Sequence, residues 1–186
     1  MLQLAAIVEL ILCWIAWVLA FVRVRRVAAG QQKVVRAPAS RWGILLAGFG
    51  FFCVMVRVHP AAFHKSAPSL ILSMLLAPPA AALAWAATRH LGKQWRYEAA
   101  LSADHELIQT GPYRVLRHPI YASMFGMLLS AGFCLTWWPM FLAGILFFVA
   151  GTEVRVHAEE RLLATRFPAA YADYRARTHA YIPYLR

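Results

Sequence analysis

The sequence predicts an all-α polytopic membrane protein with about five transmembrane helices and a cytoplasmic amphipathic C-terminal helix. Three observations carry that reading. Apolar residues make up 61% of the 186-residue chain and charged residues 15%, against roughly 45–50% apolar in a soluble domain. The apolar residues gather in runs long enough, or nearly so, to cross a ~30 Å hydrocarbon core. The charges fall between these runs and on one side: segments 23–41, 89–118 and the C-terminal tail hold 17 of 19 Lys and Arg, leaving Arg57 and Lys65 opposite. By the positive-inside rule the N-terminus is outside and the C-terminus cytoplasmic, in a bacterial inner membrane. Topology thus accounts for the net charge of +11, and no basic–aromatic surface remains to take nucleic acid.

Residues 2–22 form the first expected span, with no basic region before it or small-residue cleavage pattern after it to mark a signal peptide. Glu9 interrupts it, and reads either as one wall of a polar cavity or as a near-terminal carboxylate at the interface. A basic loop follows, from Arg23 to Arg41. Residues 42–58 are the second span and 59–68 a short turn. Residues 69–88 are the third, in which Pro78-Pro79 predicts a kink because it removes backbone donors. These three spans, 1–88, are expected as one region, and 89–186 as a second that carries the chemistry. In the latter, 120–136 and 139–152 read as a helical membrane hairpin with interfacial Trp137-Trp138 at its tip, each arm a little short of a full span. From Glu153 onward apolar Val154, Ala158, Leu162, Phe167, Tyr171 and Tyr174 recur at approximate helical spacing, predicting an amphipathic helix that Phe167-Pro168 interrupts. Cys13, Cys53 and Cys134 lie in separate apolar runs and read as small hydrophobes; no His, Cys or carboxylate spacing argues for a metal.

The chemistry concentrates in 105–121, His-Glu-Leu-Ile-Gln-Thr-Gly-Pro-Tyr-Arg-Val-Leu-Arg-His-Pro-Ile-Tyr. Gly111-Pro112 and His118-Pro119 are breaks, so unpaired backbone groups are expected around Tyr113, Arg117, His118 and Tyr121. Pro119 opens a new helix whose first amides face this loop, a place suited to an anionic or highly polar small molecule. The same residues also read as a juxtamembrane segment: Arg114 and Arg117 touching lipid phosphates, Tyr113 and Tyr121 anchoring at the interface. Arg155 and Glu159 likewise form an ordinary i,i+4 helix pair. His59, His64, His90 and His179 show no partner pattern and read as interface residues.

His105-Glu106-Leu107-Ile108, Thr110-Gly111-Pro112-Tyr113 and Arg117-His118-Pro119-x-Tyr121 resemble the isoprenylcysteine carboxyl methyltransferase family and its phospholipid methyltransferase relatives. Leu91-Gly92, Trp95-Arg96, Arg155-x3-Glu159-Glu160-x-Leu162, Phe167, Tyr171-x2-Tyr174 and Ile182-Pro183-Tyr184 fit it too, so the resemblance covers roughly residues 90–186. It implies S-adenosylmethionine bound on the cytosolic side. By the same resemblance Glu98, His105, Glu106, Leu107, Ile108, Tyr113, His118, Pro119, Ile120, Tyr121 and Glu159 form the cofactor pocket. Glu98 stands where the family usually has an amide. Arg155 aligns with the residue beside the acceptor, so Arg155 and Glu159 are the expected catalytic pair. Where the family often has an acidic run before the double Glu, this chain has His157-Ala158.

Methyl transfer is an in-line displacement that asks the protein chiefly to orient donor and acceptor. A carboxylate acceptor needs a cation to place it, and Arg is the geometric match. An amine acceptor must lose a proton, to Glu159, Glu160 or His157. The expected partners are therefore a lipophilic or lipidated acceptor and membrane lipids, with an isoprenylcysteine-like carboxylate first. The rivals are a phospholipid-headgroup N-methyltransferase, an NADPH-dependent reductase like the sterol reductases, and a non-enzymatic membrane assembly protein.

Overall fold

The structure is a computed structural model, and it describes residues 1–28, 34–36, 40–56, 65–95, 100–102 and 106–182. Six helices dominate: α1 (Leu2–Ala28), α2 (Ser40–Met55), α3 (Ala67–Leu91), α4 (Pro119–Leu135), α5 (Trp138–Arg166) and α6 (Pro168–Ala176). Strands β1 (Val34–Arg36) and β2 (Ala100–Ser102) pair antiparallel, with Val35 opposite Leu101. This ribbon ties the first polar loop to the second, so both lie at one end of the bundle.

Among the described residues three helices are long and apolar enough to cross a membrane: α1, α3 and α5. This is an integral membrane protein. At 1.5 Å per residue, the 16 residues of α2 and the 17 of α4 rise only ~24–26 Å. The helix expected to start afresh at Glu153 does not: α5 runs unbroken from the apolar hairpin to Arg166. No proline lies between Pro139 and Pro168 to stop it. One rigid rod thus joins the apolar bundle to the polar end.

α3 also runs unbroken through Pro78-Pro79. Both prolines are exposed, while Ala77, Ala80, Ala81 and Ala84 are buried against the bundle. A Cβ built on Gly126 of α4 would lie 2.8 Å from Ala80 Cβ. The double proline therefore accompanies close helix packing. Inside the bundle, Ser73 and Ser130 bond across α3 and α4, their hydroxyl oxygens 3.1 Å apart, and Ser69 donates to the Phe133 carbonyl at 2.7 Å. Lys65 donates to the carbonyls of Gly132 (2.9 Å) and Thr136, capping the far end of α4.

The α2–α5 contact is made backbone to backbone. A Cβ on Gly151 would stand 2.5 Å from the Ala47 nitrogen, and one on Gly50 2.6 Å from the Gly144 carbonyl oxygen. Small residues at Gly43, Ala47 and Gly50 face Gly144 and Gly151, the packing that lets apolar helices associate without a hydrophobic drive. α1 packs instead on α3, and its axis stays clear of α2; Trp14 bridges to Phe51 edge-on, ring centroids 5.7 Å apart.

Candidate functional site

At the polar end, three segments distant in sequence converge: the loop 106–118 with the start of α4, the second half of α5, and the tail after α6. The loop is built on Gly111, at φ +59, opening a tight turn over Gly111–Arg114. A Cβ there would fall 2.3 Å from His90 Nε2, and the Nδ1 of that ring lies 3.1 Å from Thr110 Oγ1. His90, expected to be an ordinary interface residue, is the seat on which this turn rests.

The backbone groups expected to be unpaired after the turn are paired. The tail lies alongside as a parallel strap, in which Arg117 N–H donates to the His179 carbonyl (2.7 Å) and His118 N–H to that of Ala180 (2.8 Å). Tyr174 O–H donates to the Tyr113 carbonyl at 2.7 Å, and Tyr181 O–H to Glu153 Oε1 at 2.6 Å. Sequence alone offered no partner because the strap lies some 60 residues away.

Six side chains then form one charged relay. Arg155 Nε donates to the Tyr121 hydroxyl at 2.7 Å, with its guanidinium carbon 5.2 Å from the centre of that ring. Tyr121 O–H donates in turn to Glu159 Oε1. His118 Nδ1 is 3.4 Å from Glu159 Oε2, and its Nε2 3.4 Å from Glu160 Oε1 without hydrogen-bond alignment. Glu160 accepts from Arg117 Nε at 2.9 Å, and Arg117 Nη1 reaches the carbonyls of Thr178 and Arg175. Burial alone would lower the His118 pKa, but the Glu159 and Glu160 carboxylates beside the ring outweigh it and raise it. Arg117 is thus a latch between loop, α5 and tail, and its side chain is 8% exposed, leaving no lipid-phosphate contact.

Glu106, Leu107, Ile108, Tyr113, His118, Ile120, Tyr121, Arg155 and Glu159 line one cavity of 830 Å³. Pro119 does not line it; it is buried beneath, as the first residue of α4. Glu98 and His105 lie outside the described residues. Of the three expected bases only Glu159 faces the cavity; Glu160 turns toward Arg117, and His157, largely exposed, bonds the Glu153 carbonyl. Glu9 is not among the lining residues. Sequence reasoning missed the apolar half of the wall, which comes from Trp17, Phe21, Ile44 and Phe51 of α1 and α2, and missed Thr152 and Tyr174. An apolar residue facing a cavity leaves no mark that separates it from one facing lipid.

A model of the isoprenylcysteine carboxyl methyltransferase family matches residues 70–165, more than half of the chain. The chain belongs to that family. No curated protein matches it. The match begins on α3 and ends near the foot of α5, so it takes in the turn on His90, the relay and Arg155. Family membership makes this a membrane methyltransferase of the isoprenylcysteine carboxyl methyltransferase type.

The residues present fit the family's S-adenosylmethionine. The cavity is within the ~300–1,000 Å³ usual for cofactor and small-ligand sites. A buried polar atom in its wall, Thr152 Oγ1, has no hydrogen-bond partner among the described residues, and such a group calls for a ligand or water. Its donor set is mixed: carboxylates at Glu106 and Glu159 suit an amino or hydroxyl group, and His118 suits a carboxylate.

Proposed function

We propose that this enzyme methylates the carboxylate of a lipophilic, isoprenylcysteine-like acceptor, with S-adenosylmethionine as donor. One observation carries the reading: a single cavity has a charged floor and an apolar wall, and Arg155 stands where they meet. Five helices span the membrane, the two short ones with little tilt, and the polar end with its C-terminal helix faces the cytoplasm of a bacterial inner membrane. α1 and α2 touch little beyond the Trp14–Phe51 ring pair, and both line the cavity, which supports an acceptor hydrocarbon reaching Arg155 sideways from the bilayer.

When bound, S-adenosylmethionine supplies an electrophilic methyl group on a sulfonium. Glu106 to Ile108, Tyr113, His118, Ile120, Tyr121 and Glu159 would hold it; Glu159 would take its amino or hydroxyl groups and His118 its carboxylate. Arg155 would pair with the acceptor carboxylate and orient it toward the donor. Tyr121 aims Arg155 by accepting from its Nε and passes the charge to Glu159. The carboxylate acceptor brings its own nucleophilic oxygen, so no base is required. Glu159, already held by Tyr121 and His118, is poorly placed to be one, which favours the ester over methylation of an amine.

The test is calorimetric binding of S-adenosylhomocysteine to detergent-purified protein, then product analysis with labelled donor. The expected results are binding and a base-labile methyl ester. In Arg155→Gln transfer falls about a hundredfold, ~2.7 kcal/mol, while S-adenosylhomocysteine still binds. No binding, or a base-stable methylamine product, overturns the proposal.

A further inference from the structure

A second concavity lies outside the first, in the angle where the chain turns from α5 into α6, and no residue lines both. It has a volume of 680 Å³. Small side chains at Ala164, Ala172 and Ala176 keep it open, Arg161 on α5 and Arg175 on α6 stand on its two walls, and Tyr171 sits at its base. The Arg161 and Arg175 guanidiniums have no hydrogen-bond or ion-pair partner among the described residues. Tyr171 is 2% exposed, and its hydroxyl lies beside the Glu160 carboxylate without an aligned hydrogen bond among the described residues. The Glu160 carboxylate also lines the wall, but its charge is offset by Arg117 at 2.9 Å and His118 at 3.4 Å. The notch is therefore net positive, with two free planar cations and a buried donor.

We propose that this notch binds a phosphate group, with Arg161 and Arg175 as a two-sided clamp and the Tyr171 hydroxyl as a third donor. Guanidinium geometry matches phosphate oxygens in pairs, and Tyr171 O–H gains an acceptor it can meet in line, which Glu160 does not offer. A phosphodiester headgroup and free phosphate offer the same oxygens.

The test titrates full-length protein in neutral detergent, by calorimetry, with short-chain phosphatidylglycerol, short-chain phosphatidylcholine and inorganic phosphate. Wild type is compared with Arg161→Gln/Arg175→Gln and, separately, with Tyr171→Phe; the thermal transition confirms that each is folded. Saturable binding is expected, about tenfold weaker in the double variant and weaker by a smaller factor in Tyr171→Phe. Binding of the lipids but not inorganic phosphate assigns the site to a headgroup, and binding of inorganic phosphate assigns it to the free anion. No saturable binding to wild type, or equal binding by wild type and the double variant, overturns the proposal. Neither result depends on S-adenosylhomocysteine or on methyl transfer, so the test stands apart from that of the proposed function.

Discussion

One helix, α5, is fixed at its two halves by opposite kinds of physics. Its first half meets α2 backbone to backbone along Gly144 and Gly151, with the edge-on ring pairs Phe49–Phe147 and Phe51–Phe148 beside that seam and no charged group in it. Its second half is fixed by Glu159 and Glu160, which engage Tyr121, His118 and Arg117 through charge and hydrogen bonds. The first contact depends on shape alone and is indifferent to pH and salt. The second depends on desolvated charges that stabilise only as a complete set. Arg155 lies between the two, and Gly43 passes so close that a Cβ there would sit 2.5 Å from Arg155 Cγ. The seam sets the height of the guanidinium and the relay sets its direction.

The contrast breaks hardest at Arg117. Arg117→Ala leaves the Glu160 carboxylate buried and short of its cation, at an expected cost of about 3–5 kcal/mol. Thermal unfolding in detergent reads it, and Arg117→Met with Glu160→Gln recovers part of the loss. On the seam, Gly151→Val drives side-chain carbons into the backbone of α2 and costs about 1–3 kcal/mol, with no rescue from any change of charge. Tyr121→Phe keeps the ring over Arg155 but removes the hydroxyl that aims it. Methyl transfer should fall about tenfold, ~1.4 kcal/mol, with little loss in melting temperature.

The subtlest separation is pH. His118 has a folded pKa above its unfolded ~6.5, so its stabilising contribution is whole below ~6.5 and fades as pH rises through the folded value. Melting temperature should therefore decline as pH is raised from about 6. His118→Gln should flatten that decline, whereas Gly151→Ala should lower the whole curve and keep its slope. A Gly151→Ala curve that loses its slope would mean that seam and relay are one cooperative unit.

Much of this was legible in the chain. The apolar runs located the starts of the five apolar helices within a few residues, since greasy length and Gly-Pro punctuation are local properties. The motif from Glu106 to Tyr121 marked one side of the cavity and Arg155-x3-Glu159 the other. The seam was written in the spacing of Gly43, Ala47 and Gly50 against Gly144 and Gly151, though small residues inside an apolar run read as filler until a partner helix is placed beside them. Arg117 read either as part of a polar site or as a lipid contact because its true partners, Glu160 and the Thr178 carbonyl, come from two elements that only folding brings near.

By itself, then, the sequence determined that this chain sits in a membrane, that its positive charge gathers at one end, and which short motifs carry chemistry. Each of these follows from the residue's own hydration energy or backbone freedom. Only the tertiary structure decided which carboxylate faces the cavity, that the tail closes the loop's backbone, and that a second, basic notch opens between α5 and α6. Those outcomes rest on distances between residues far apart in the chain, and side-chain period alone cannot choose between two faces of a helix that both carry charge.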